Sequence, residues 1–280
     1  MKNVIHGYRS GLLTKTMTEE EVLALAEAST DYFTGDLTGR RPPFSAALSG
    51  LELRLDYGVE GTLPHRFADE HTLVWTDGEG KEHEEYYEAF EIDRQLYLAA
   101  YLRKGSRPVT SCTVVLDLAM NLTTMIRSSM GTAVSARDID QRVWHGVIRR
   151  EGMMPPLAWR HHPTRDLVGL STGWSYRDDM ASQHIYGSPY GISWVILTGP
   201  GNGLLGSAPC KYFKIREHVY LYSWLETMGS GQQGVVLMNM KTMHDVGTFY
   251  GVNHAQRFEF YTYGAKGYIL GRYNTRDKFL

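Results

Sequence analysis

Only two cysteines, Cys112 and Cys210, occur in 280 residues. Two lone thiols build neither a disulfide framework nor a cysteine zinc site, and they suit a reducing compartment. Nowhere is there a run of about 18 apolar residues, the length a membrane-crossing helix needs. The opening MKNVIHGYRSGLLTK lacks an apolar stretch of signal-peptide length, so a soluble, cytoplasmic protein is expected. Basic residues are not in excess: 29 Lys and Arg stand against 31 Asp and Glu. The partners expected therefore exclude nucleic acid and membrane, leaving a small-molecule ligand, with a homodimer left open.

Signatures of familiar chemistry are missing too. There is no HExxH, no other two-His-plus-carboxylate spacing, no GxSxG and no Cys/His dyad. The run GPGNGLLG (Gly199–Gly206) lacks the Lys-Ser/Thr and following helix of a phosphate loop, and reads as a wide inter-strand loop. His161 and His162 adjoin Pro163 on an irregular segment, where neighbours rarely ligate one metal, so both are expected at the surface. No metal and no cofactor are expected.

What is abundant is Tyr, at 18, and Gly, at 29. Aromatics favour strands and glycine supplies tight turns, a combination that suits many short strands. Thr18-Glu19-Glu20-Glu21 is a capping box that predicts a short helix to about Ala28. Thr34–Pro43 reads as a Gly/Pro-bounded linker. From Ser49 the apolar period becomes two: Leu51, Leu53, Leu55 and Tyr57 alternate with Glu52, Arg54 and Asp56. Strand-like runs continue to Ser128 with no connection long enough for a crossover helix, so the sheet is antiparallel. Ala136–Ile148 has weak helical spacing and Met153–Pro163 is proline-containing; the rhythm resumes at Asp166, and its last strands read as Val246–Tyr250, Arg257–Tyr263 and Tyr268–Tyr273.

The chain also echoes itself. Tyr57, His65, Phe67 and Trp75 recur, 119 positions on, as Tyr176, His184, Tyr186 and Trp194. With slightly different shifts, Ala89–Leu102 overlays Tyr212–Leu225, and Val114–Leu116 overlays Val235–Leu237. Self-similarity at long period marks a duplicated unit. A meander of seven to eight strands buries its inner face by closing on itself, and about eight strands leave room for side chains or one small ligand. The fold class expected is all-β, two tandem lipocalin-like antiparallel β-barrels with a short N-terminal helix. The divisions are a 1–44 N-terminal segment, a 45–133 first barrel, a 134–165 linker and a 166–280 second barrel.

Alternation assigns faces but leaves the inner one ambiguous. In the second copy one face carries Tyr220, Tyr222, Trp224 and Glu226, the other Val219, Leu221 and Leu225. A packed interior would prefer the aliphatic face and a ligand-holding interior the aromatic one; the aromatic face is taken as inner. A single inward histidine is ordinarily a satisfied core residue. Clustering with aromatics points instead to a small-molecule site. His184, titrating near neutrality, and Glu226, raised by burial, are the candidate acid or base, with Tyr176 a third catalytic candidate. Tyr186, Trp194, Cys210, Tyr212, Tyr222 and Trp224 are the candidate substrate contacts, with Cys210 a packed thiol rather than a nucleophile. A second pocket of Tyr57, His65, Trp75, Tyr87 and Tyr101 is expected in the first barrel. There Arg103 aligns with Glu226 and Tyr101 with Trp224, which makes that pocket degenerate or structural.

The motifs DLVG (Asp166–Gly169), Trp174-x-Tyr176, His184–Tyr186, Trp194 before Gly199-Pro200, Cys210–Ile215 and Tyr220–Glu226 resemble the C-terminal domain of the MoaF family. Tyr57-Gly58, His65–Phe67, Trp75, Tyr87 and Leu116-Asp117 look like its N-terminal domain, and the resemblance covers roughly residues 45–265. It implies a tandem lipocalin-like fold and little about reaction, although the family name is associated with molybdenum cofactor biosynthesis. Phenolic acid decarboxylases are similar in barrel architecture and use inward Tyr, Arg and Glu; no clear inward Arg is evident in this chain. The function expected is a cofactor-free lyase, isomerase or cyclase moving protons on a small aromatic or apolar substrate. The alternatives are a non-catalytic lipocalin-like binder and an accessory factor in molybdenum cofactor metabolism.

Overall fold

Thr18 caps the first helix as its sequence dictates. Its hydroxyl accepts from the Glu21 backbone N–H, and the Glu21 carboxylate accepts from the Thr18 N–H, opening α1 at Glu19–Ala28. This computed structural model describes residues 17–274, apart from 30–34, 108, 132–135, 137, 155, 228–230 and 254.

Two closed barrels follow. The first comprises β1 (Glu52–Asp56), β2 (Thr62–Phe67), β3 (Thr72–Thr76), β4 (Glu82–Asp93), β5 (Leu96–Arg103), β6 (Thr110–Asp117), β7 (Leu122–Met130) and β8 (Ile139–Arg149). Each strand pairs antiparallel with the next, and β8 closes the ring on β1. After a two-residue β9 (His162–Pro163), the second barrel runs through β10 (Leu170–Arg177), β11 (Met180–Ser188), β12 (Gly191–Thr198), β13 (Leu205–Arg216), β14 (Val219–Leu225), β15 (Gln232–Asn239), β16 (His244–Val252) and β17 (Phe258–Arg272). β17 returns to β10, and β12 pairs with β13, so this ring closes as well. The duplication extends to backbone conformation. Gln95 and Asn121 hold the left-handed region in the β4–β5 and β6–β7 turns of the first barrel; His218 and Met243 hold it at the corresponding turns of the second.

Two sequence expectations need correction. Residues 134–165 are not a linker throughout, because Ile139–Arg149 is the closing strand of the first barrel. Its apolar residues fall on both faces: Ile139 and Val143 face the other barrel, whereas Trp144 and Ile148 face the interior. Each pair is four residues apart, which mimics helical spacing. Likewise Arg257–Tyr263 and Tyr268–Tyr273, expected as separate strands, are parts of one β17.

The ambiguous register has a structural explanation: both faces are buried. Tyr212, Tyr220, Tyr222 and Trp224 point into the second barrel. The aliphatic faces of the two barrels pack against each other, with Leu96, Leu98, Ala100 and Val115 in one cluster with Val219, Leu221, Val235 and Leu237. Met17, Val22 and Ala26 of α1 join this cluster. Each large apolar side chain removed from water contributes roughly 1.5–3 kcal/mol. Polar clasps flank the contact. The Arg216 guanidinium donates to both oxygens of buried Asp117, at 2.7 and 2.8 Å. His161, expected at the surface, is 2% exposed beside this pair, with Nδ1 2.8 Å from the Thr124 hydroxyl; His162 is exposed.

Candidate functional site

Inside the second barrel, β11 alternates to place Ser182, His184 and Tyr186 on the inner face. His184 Nε2 lies 3.1 Å from the Ser182 hydroxyl, which is 3.2 Å from the Tyr176 hydroxyl. His184 Nδ1 lies 3.1 Å from the Tyr222 hydroxyl. Tyr176, Ser182, His184 and Tyr222 therefore form one buried hydrogen-bonded chain. Tyr186 stands beside it, 3.3 Å from the Thr172 hydroxyl. The rings of Tyr186, Tyr212, Tyr222 and Trp224 pack edge-on, tilted or stacked at 5.7–6.2 Å. Trp224 lies across Gly234 on the neighbouring strand, where a Cβ would overlap the indole ring.

Burial rewrites the acid–base character of these groups. It pushes the His184 imidazole down to about 4, so the ring is neutral at pH 7 and does not titrate near neutrality as the sequence reading expected. Burial likewise pushes the Tyr186 phenol to about 12 and the Cys210 thiol to about 12, and raises Tyr176 and Tyr222 well above the usual phenol range.

The sequence-predicted residues divide by position. Tyr176, His184, Tyr186, Cys210, Tyr212, Tyr222 and Trp224 converge inside the second barrel. Trp194 pairs directly with His184 across β11 and β12 but remains half-buried. Glu226 lies beyond the end of β14, half-buried, and accepts from Trp224 Nε1 at 3.4 Å. Tyr57, His65, Trp75, Tyr87 and Tyr101 are buried in the first barrel, where His65 Nε2 is 2.9 Å from the Tyr101 hydroxyl.

Asp245 is the residue sequence reasoning missed. It is the second residue of β16 and is wholly buried; its Oδ1 accepts from the Ala265 N–H at 2.6 Å, and its Oδ2 has no hydrogen-bond partner among the described residues. Burial pushes its carboxyl well above the usual range, toward the protonated form. A charge there would be felt by Tyr176, Tyr186, Tyr222 and Tyr263, which places Asp245 among them. The available signal was the alternation Asp245, Gly247, Phe249, which continues the inner face past the apparent strand start.

An open groove of about 480 Å³ lies outside this cluster, along the β11–β12 turn at Ser188, Tyr190, Ser207 and Pro209. Among the described residues no cluster of His, Cys, Asp and Glu is arranged to hold a metal ion, and no helix is long and apolar enough to cross a membrane.

Residues 31–132 match the MoaF N-terminal domain, and residues 161–273 match the MoaF C-terminal domain. The chain belongs to the MoaF family. Protein MoaF of Klebsiella aerogenes is 28% identical over 88 residues, 31% of this chain and 33% of that relative, so the likeness spans about a third of its length. A crystal structure of a Burkholderia vietnamiensis protein provisionally called a beta-lactamase aligns with 38% of this MoaF-family chain and 100% of its own, at a TM-score of 0.33 and 14% identity. A likeness that slight carries no functional argument.

Proposed function

We propose that this MoaF-family protein is a small-molecule enzyme of the lyase or isomerase type, moving protons within its second barrel by means of its own side chains. The observation that carries the reading is Asp245: a carboxyl with one oxygen unpartnered among the described residues, pushed toward its protonated form by burial among phenols in the barrel that holds His184. A buried polar atom without a partner costs stability, so its retention favours a use. Neutral His184 accepts a proton from the substrate through the hydroxyl bonded to it, Ser182 or Tyr222. Asp245 delivers a proton to the atom that gains electron density, and the phenol of Tyr186 or Tyr222 donates a hydrogen bond to a developing oxyanion. Trp174 and Trp224 supply apolar walls, which suits a flat substrate bearing one carbonyl or enol oxygen.

The test follows solvent deuterium into carbon. The protein is incubated in D2O with a panel of enolisable aromatic carbonyl compounds. Exchange at carbon is expected, slowed roughly 10²–10⁴-fold in Asp245→Asn and in His184→Gln. A compound that quenches tryptophan fluorescence saturably yet returns without deuterium and unchanged would instead make the barrel a carrier.

A further inference from the structure

Among the described residues, the interior of the first barrel contains arginine where the second does not. A single row of cross-strand neighbours runs Tyr87, Tyr101, Cys112, Arg127, Arg142 from β4 to β8. Because directly paired residues share a face, Arg127 is on the inner side with Tyr101 and Cys112. Arg103, two residues beyond Tyr101, is on the same side. Each of these guanidiniums lies on an indole: Arg103 at 3.5 Å from the Trp75 ring and Arg127 at 4.5 Å from the Trp144 ring. Stacking occupies the flat face of a guanidinium and leaves its in-plane N–H groups free.

Among the described residues, neither guanidinium donates a hydrogen bond. Arg103 Nε is buried without a hydrogen-bond partner, and among the described residues neither side chain forms an ion pair. The acid whose charge reaches Arg103 is Glu85; it accepts from the Lys104 N–H, and burial pushes its carboxyl up, toward the neutral form. Burial and the neighbouring charges of Arg103 and Arg142 also disfavour the charged form of Arg127. Arg142, by contrast, reaches Asp140 at 3.4 Å. Two cations, half-buried and close enough to repel, thus share one barrel end, with the buried Glu85 carboxyl the acid beside Arg103. Below them the wall is aromatic and neutral: Tyr57 packs 6.0 Å from Trp144, and the His65 ring is held uncharged, at about 4, by burial.

We propose that the first barrel binds a planar aromatic carboxylate, with its anionic head between Arg103 and Arg127 and its ring among Trp75, Trp144 and Tyr101. Two forked guanidiniums match a carboxylate bidentately, and anchoring each on an indole lowers the entropy lost on binding. The site is separate from the His184–Asp245 cluster and stands or falls without it.

Calorimetric titration of the full chain with benzoate, benzamide and inorganic phosphate tests the proposal. Benzoate is expected to bind saturably, benzamide at least about 10-fold more weakly because it lacks the charge, and phosphate without displacing benzoate at equal concentration. Arg103→Gln and Arg127→Gln should each weaken benzoate about 10-fold or more, while Asp245→Asn leaves it unchanged. Absence of benzoate binding up to about 10 mM, equal binding of benzamide, displacement by equal phosphate, or loss of benzoate in Asp245→Asn but not in the arginine variants would each overturn it. The benzoate–benzamide comparison on the unaltered protein decides the matter even where an arginine variant fails to fold.

Discussion

Asp245 and His184 set opposite pH signatures on the same barrel. Burial raises the Asp245 carboxyl in the fold above its unfolded value, so its contribution to stability falls as pH rises above about 4, the usual carboxylate value. Asp245→Asn removes that titration. The variant should therefore melt several degrees higher than the unaltered protein at pH 7 and gain little at pH 4, which thermal melts across pH would show. A residue that costs stability where it stands is what a functional group looks like. His184 and His65 run the other way. Each is pushed from 6.5 to about 4 by burial, so the unfolded chain takes up a proton first as pH falls. Stability from each is present above pH 6.5 and is lost as pH falls through about 4, by up to roughly 3 kcal/mol apiece. His184→Gln should flatten that part of a urea-denaturation pH profile. Cys112 and Cys210, held at about 11 and about 12 by burial, should react with a thiol reagent only on unfolding.

Individual strands explain why much of the site was legible and part was not. Strict alternation in β11 made Tyr186 and His184 readable as neighbours on one face. β16 opens with His244-Asp245, polar residues next to a turn, so a period-two reading began it too late and left Asp245 out. The aromatic filling also relies on glycine at chosen positions: Trp224 opposite Gly234 and Tyr263 beside Gly247 occupy space a Cβ would take. Gly234→Ala should displace the Trp224 indole and destabilise by roughly 1–3 kcal/mol, read as a shifted tryptophan emission and a lower denaturation midpoint. The segment before the first barrel has a packing role that its Gly/Pro content concealed. Leu37 packs against the interior cluster of the second barrel and its carbonyl accepts from the Gly264 N–H. Arg41 then bridges the barrels, reaching Glu88 at 3.2 Å and the Thr262 hydroxyl at 2.5 Å.

The two barrels are one cooperative object because each supplies the other's missing cover. Leu98, Val115, Leu221 and Leu237 lie on outer faces, yet each is 0% exposed. A single heat-absorption peak is expected for the full chain, and either barrel expressed alone should aggregate through its exposed aliphatic face. The Arg216–Asp117 pair is the polar counterpart. Burial pushes Asp117 upward, but hydrogen bonds from Arg216 and the Met120 N–H, with the His161 ring 3.9 Å away, outweigh it and hold the carboxylate at about 2. Removing one partner strands a buried charge, so Asp117→Ala should cost roughly 3–5 kcal/mol, and Arg216→Met in the same background should recover part of it.

Period-two alternation, a capping box and a repeat of about 120 residues were enough to establish antiparallel strands, the first helix and the tandem barrels, because each of those signals is local or is carried by spacing alone. The choice of inner face was decided only in three dimensions. A strand that is apolar on both sides has no preferred inside until a second barrel covers one of them. The same holds for Asp245 among its tyrosines, His161 beside Asp117, and Arg127 over Trp144. Long-range strand pairing brings those groups together, and the sequence around each of them is ordinary.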